Sequence, residues 1–125
     1  MKRLFIAIII GIIAITVSSF ELIYTTNSTN QLMHDIDKAT TYYKFGDVKN
    51  ASLLIEKSQK NWINRKSILD IFLYHDIVDE ITVDLTTATI HLENNNRDFL
   101  VSCALIEEHL STLANSEYPY LENIL

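Results

Sequence analysis

Residues 4–20 read LFIAIIIGIIAITVSSF, seventeen positions in a row without a charge. No feature limits the fold more. As a helix the run is about 25 Å long, close to the ~30 Å hydrocarbon core of a bilayer. Glu21 interrupts it, but Leu22, Ile23 and Tyr24 follow, so the helix can continue with Tyr24 as an aromatic anchor at the outer interface. A helix apolar on every side cannot be the core element of a small domain, which would have to cover it all round. Lys2 and Arg3 stand just before the run, which places the N-terminus in the cytoplasm and the rest of the chain outside. The expectation is an uncleaved signal-anchor over residues 1–24 in the cell membrane. The competing reading is a cleaved signal peptide and a secreted product. Val17-Ser18-Ser19 gives it a tolerable small-residue site, but the apolar run is longer than a usual signal core. No lipobox cysteine accompanies the run, which excludes a lipoprotein.

The remainder of the 125 residues suffices for one domain and not for two. With two glycines and one proline in the chain, turns are few and elements long, so the domain is all-α; a β-sandwich would need turn residues about every ten positions. Outside Lys2 and Arg3 the chain has 8 basic and 16 acidic residues. That balance excludes a nucleic-acid binder, which needs a basic face to displace counterions, and it opposes binding to an anionic lipid surface. The single cysteine, Cys103, allows no disulfide within one chain, and its place in an apolar helical stripe marks it as a small buried hydrophobe.

Residues 25–30 (TTNSTN) read as a short polar spacer or helix entry, and residues 31–125 as the extracytoplasmic helical domain. Leu32, Ile36, Ala39 and Tyr43 form one face of a first helix over about 28–45, which Gly46 ends. Asp47 caps a second helix with Val48, Ala51, Leu54, Ile55 and Trp62 as its apolar stripe. Lys60, Arg65 and Lys66 are expected in its last turns, where the helix dipole favours cations. Ser67 and Asp70 resemble a capping box. From there apolar positions recur at 68, 71, 72, 75, 78, 81, 85, 88 and 92, which suits either one helix to about Asn94 or two pieces joined near Asp76. After the Asn94-Asn95-Asn96 break, a last helix is expected over 97–114 on Leu100, Cys103, Leu105, Ile106, His109, Leu110 and Leu113. Pro119 bars further extension.

Residues 35–55 and 84–106 echo each other, with an offset of 49 before the loop and 51 after it. Each copy reads as a helical hairpin with a small residue where its helices cross. The architecture expected is a membrane helix followed by a small antiparallel bundle of two hairpins, like a pair of helical repeats. The hairpins differ in charge. Residues 21–66 hold 7 basic and 5 acidic residues, and residues 67–125 hold 1 and 11. An acidic face is usually just a solvated one; the sharper reading is a docking surface for a basic partner, such as the first hairpin of another copy.

The densest polar cluster is His75, Asp76, Asp79 and Glu80. On a helix His75 shares a face with Asp79, and Asp76 with Glu80. These four are the candidate binding residues. As a metal site they supply two ligands at the usual spacing and lack an identifiable third and fourth, so no metal and no cofactor is assigned. The structural reading ranks ahead of binding: Asp76 caps a helix, Asp79 and Glu80 complement its positive end, and His75 sits on the apolar stripe. His34-Asp35 and His75-Asp76 are both HD dipeptides, but the domain is too short for a metal phosphohydrolase. There is no Gly-rich phosphate loop and no G-x-S-x-G, so no catalytic residue is assigned and the chain is not read as an enzyme.

The start MKRLFIAIII, the segment YYKFGDVKNASLLIEKSQKNW, the HDIVDEI stretch at 75–81 and the closing LENIL resemble, in order and spacing, a bacterial family known as domain of unknown function 4363. Members commonly show an acidic residue and then Ile after the HD pair, where this chain has Ile77-Val78. The resemblance implies a membrane-anchored helical protein, mainly of Gram-positive spore-forming lineages, and carries no activity or catalytic residues. The function expected is a membrane-tethered extracytoplasmic interaction or scaffold module, with a protein partner or further copies of itself. The alternative is an extracytoplasmic ligand- or metal-binding sensor that uses the His75–Glu80 cluster.

Overall fold

The computed structural model describes residues 1–73 and 75–117. Four helices account for nearly all of them: α1 (Lys2–Lys44), α2 (Val48–Phe72), α3 (His75–Glu93) and α4 (Asp98–Glu117). Helix α1 packs on α2 and α4, and α3 packs on the same two, while among the described residues the diagonal pairs stand further apart. The result is an antiparallel four-helix bundle whose first helix is only the second half of α1. The expectations for Pro119 and the closing LENIL lie outside the described residues.

The long first helix corrects one expectation. Residues 25–30 are not a spacer between anchor and domain but continuous helix, and Thr25, Ser28 and Thr29 are buried. Local chemistry allows it. The Thr29 hydroxyl donates back to the Thr25 carbonyl at 2.9 Å, so a residue with a β-branch and a hydroxyl is satisfied inside a helix. Packing then decides, because α2 covers this face. The Arg65 guanidinium donates to Ser28 Oγ at 3.2 Å, and the Ser58 hydroxyl reaches Asp35 Oδ2 at 3.4 Å. With the Phe20–Phe72 ring contact at 6.4 Å, three contacts trace the pair. Positions 58, 65 and 72 of α2 step by seven opposite 35, 28 and 20 of α1, which step by seven and then eight, so the two helices run antiparallel in close register.

The two turns farthest from the apolar run are built alike. At the end of α1, the Gly46 amide donates to the Tyr43 carbonyl and the Asp47 amide to the Tyr42 carbonyl, with Gly46 at φ 81°. At the end of α3, the Asn95 amide donates to Leu92 and the Asn96 amide to His91, with Asn95 at φ 50°. Both are Schellman motifs, in which a left-handed residue lets two orphan carbonyls be satisfied. Asp47 also accepts from the Asn50 amide as the N-cap of α2.

The repeat seen in the sequence thus extends into the turn itself, because Gly46 and Asn95 are 49 positions apart. Buried positions obey the same offset: Leu32, Ile36 and Ala39 correspond to Ile81, Leu85 and Ala88. Beyond the turns the offset is 51, and Ala51, Ile55 and Trp62 match Ser102, Ile106 and Leu113, all buried. The hairpin α1–α2 and the hairpin α3–α4 are therefore two copies of one unit, each covering the other's apolar face.

Other differences concern where helices stop and which way they face. Ser67 does not start a helix; α2 runs through it to Phe72, drawn on by Leu69, which is fully buried. The break falls at Leu73, whose backbone is extended, so residues 67–94 belong to two helices. Lys60, Arg65 and Lys66 consequently lie in the body of α2, and its last turn holds no cation. Leu105, assigned to the stripe of α4, is exposed, and so is Ile71 at 74%. His75 also leaves the apolar stripe, with 65% of its side chain exposed.

Trp62 is the largest buried side chain. Its indole N–H donates to Thr82 Oγ1 at 3.1 Å, and the Thr82 hydroxyl donates to the Val78 carbonyl. The ring therefore fills the core of the bundle with its one polar atom satisfied.

Candidate polar sites

Two histidine-centred clusters form between helices, and both draw on the candidate residues. The first lies beside the α2–α3 corner. Lys66 Nζ is 2.8 Å from Asp70 Oδ2, one turn further along α2, and 2.7 Å from Asp79 Oδ1 on α3. His75 Nδ1 lies 3.2 Å from Asp70 Oδ1, and its Nε2 lies 3.4 Å from Asp79 Oδ2. The two carboxylates and two nitrogenous groups make a closed square across the corner. Its hydrogen bonds to Asp70 and then Asp79 hold the Lys66 ammonium above its ordinary pKa, and the bond from Lys66 holds the Asp79 carboxyl below its own. Asp70 Oδ1 is buried and accepts no well-aligned hydrogen bond, since His75 Nδ1 stands near it but off line.

The second cluster lies between α3 and α4. His109 Nδ1 is 2.7 Å from Asp84 Oδ2, and Nε2 is 3.2 Å from Glu80 Oε2. Of the four candidates, the structure brings His75 and Asp79 together and separates the other two. Glu80 turns to His109, and Asp76 is exposed in the first turn of α3 with no ion pair among the described residues. Lys66, Asp70, Asp84 and His109 complete the clusters and were not among the candidates. The Lys66–Asp70 spacing of four was a readable signal; the 25 residues between Asp84 and His109 were not.

Asp70, His75 and Asp79 each offer one ligand atom, all within 4.8 Å of one another, the geometry of a three-ligand cation site. Lys66 changes what that geometry means. Its ammonium sits against both carboxylates at hydrogen-bond distance, so one of their two negative charges is already balanced by a cation of the chain itself. A divalent ion would have to displace it. The arrangement is an electrostatic staple between α2 and α3.

Two cavities among the described residues bear on a site. Between α1 and α2 a cleft lined by Ser28, Asp35, Ser58 and Arg65 has room for about one water, at 10 Å³. An open hollow of 440 Å³ between the two distal turns holds Lys44 and Arg97 at its rim, with no acid–base pair beside them.

The family model described as a domain of unknown function, DUF4363, matches residues 19–124. The chain belongs to the DUF4363 family. The matched stretch takes in the whole described bundle and begins at the end of the apolar run. No curated protein and no solved structure matches this DUF4363 chain.

Proposed function

We propose that this chain is a membrane-tethered extracytoplasmic interaction module, a four-helix bundle carried on the helix that anchors it. The observation behind the reading is α1. One 18-residue window of it has a mean hydropathy of 2.5 and is covered by no other described part of the protein. The second half of the same helix is a wall of the bundle. An uncovered apolar helix of this length needs lipid or a partner around it. Lys2 and Arg3 favour an inside N-terminus, which carries the bundle to the outer side. The lopsided charge of the two hairpins supports a partner with a basic surface, a second copy among the candidates. In this reading the chain carries out no reaction. Crosslinking in intact membranes followed by mass spectrometry tests it: a defined adduct through α3 or α4 is expected, and recovery of monomer alone overturns it.

The Asp70, His75 and Asp79 geometry favours one second reading, a metal-responsive sensor. Thermal melts of the full chain with and without zinc separate the two. The module reading expects no His75-dependent rise in melting temperature; a rise that vanishes in His75→Ala establishes the sensor.

A further inference from the structure

We propose that the α2–α3 corner is a second membrane contact, seated in the outer headgroup–acyl boundary beside the anchor. This rests on the reading of residues 2–24 as membrane-spanning. With Lys2 and Arg3 at the inner headgroups, a hydrocarbon core of ~30 Å takes up about twenty residues of α1 and ends near residue 23. Phe20 then lies about 5 Å below the outer boundary, by the same rise per residue. Tilting α1 moves the boundary outward along the helix and leaves Phe20 deeper.

The bundle reaches down to that level. The Phe72 ring is 6.4 Å from the Phe20 ring, and Phe20 in turn stacks on Tyr24 at 5.8 Å. Phe72 is the last residue of α2, so the whole corner stands at the depth of Phe20. Its composition suits that depth. Ile71, Phe72 and Leu73 are uncharged and apolar, and Ile71 is 74% exposed on the protein's own surface. The ionisable groups on either side, Asp70 and His75, lie in the Lys66 square. An apolar corner beside the anchor helix, with Asp70 tied to Lys66 and Asp76 left at the level of the headgroups, matches a bilayer interface better than water. A protein occupant would have to wedge between the corner and the lipid that surrounds Phe20.

The test uses the full chain in vesicles of phosphatidylcholine and phosphatidylglycerol. In a Cys103→Ala background, a single cysteine is introduced by Ile71→Cys, Leu53→Cys or Ile12→Cys and labelled with an environment-sensitive fluorophore. Leu53 is exposed on the same helix far from the corner, and Ile12 lies in the apolar run. Far-UV circular dichroism checks that each variant keeps its helix content. Lipids with a nitroxide high on the acyl chain are expected to quench the Ile71 probe several-fold more than the Leu53 probe. Quenching of the Ile12 probe by a nitroxide at the chain end, with the Ile71 probe no more quenched than the Leu53 probe, overturns the inference and leaves the anchor standing. A blue-shifted but unquenched Ile71 probe does the same, with protein as the occupant. An unquenched Ile12 probe overturns the anchor, and the inference with it.

Discussion

Cys103 is a thiol in the core, 2% exposed, and burial pushes its pKa from 9.0 up to about 11, with a lesser raise from Glu107 and an opposing hydrogen bond with Thr40. The folded state therefore holds the thiol proton where the unfolded chain releases it. Stability from this source is whole below pH 9 and is lost as pH rises toward 11, about 3 kcal/mol in all. Urea denaturation of wild type and Cys103→Ala at pH 8 and pH 10.5 should show the wild type losing more, since tyrosines and lysines titrate equally in both. Asp79 works in the other direction. Its lowered pKa gives stability that is present above 3.8 and lost as pH falls through the folded value. Asp79→Asn should flatten the acid limb of a melting-temperature profile below pH 4, and Lys66→Met should do so too, because Lys66 is the main cause of that shift. The sequence showed part of this. His75 and Asp79 share a face by spacing alone, as do Lys66 and Asp70, but Lys66 meets Asp79, and His109 meets Glu80 and Asp84, only through packing between helices, which no local pattern encodes.

Helix ends were legible where a residue has a backbone reason to be there. Gly46, Asp47 and the asparagine run marked both distal turns, because left-handed geometry and capping are local chemistry. The α2–α3 break was legible only as one of two alternatives, placed near Asp76, since neither glycine nor proline stands there and Ser67 with Asp70 imitated a helix start. The run 25–30 misled for the same reason: hydroxyl residues prefer turns in isolation, and here tertiary cover keeps them helical. The two Schellman turns invite a paired test. Gly46→Ala places a Cβ at φ 81° and should cost about 1–2 kcal/mol of unfolding free energy, although the site is open. Asn95→Gly relieves the same strain in the other copy and should be neutral or slightly stabilising. Chemical denaturation of the two variants checks the pair.

The all-α class, the two hairpins and their quasi-repeat were readable because hydrophobic period and turn residues agree along the whole chain. How the hairpins close on each other was not, since α1 meets α4 only in three dimensions, for example where Tyr43 lies 5.0 Å from Phe99. The continuity of α1 has a further consequence for the whole molecule. A flexible linker would let the bundle swivel, whereas an unbroken helix fixes its azimuth relative to the apolar segment. One residue added between Ile23 and Tyr24 should turn the bundle by about 100° and raise it by about 1.5 Å. Four added residues should restore the bearing to within about 40° while lifting the bundle by one turn or so. If partners approach laterally in the plane of the lipid, crosslinking yield across a series of one to four inserted alanines should oscillate with the helical period. The apolar half of α1 then acts as a compass bearing for the bundle it carries.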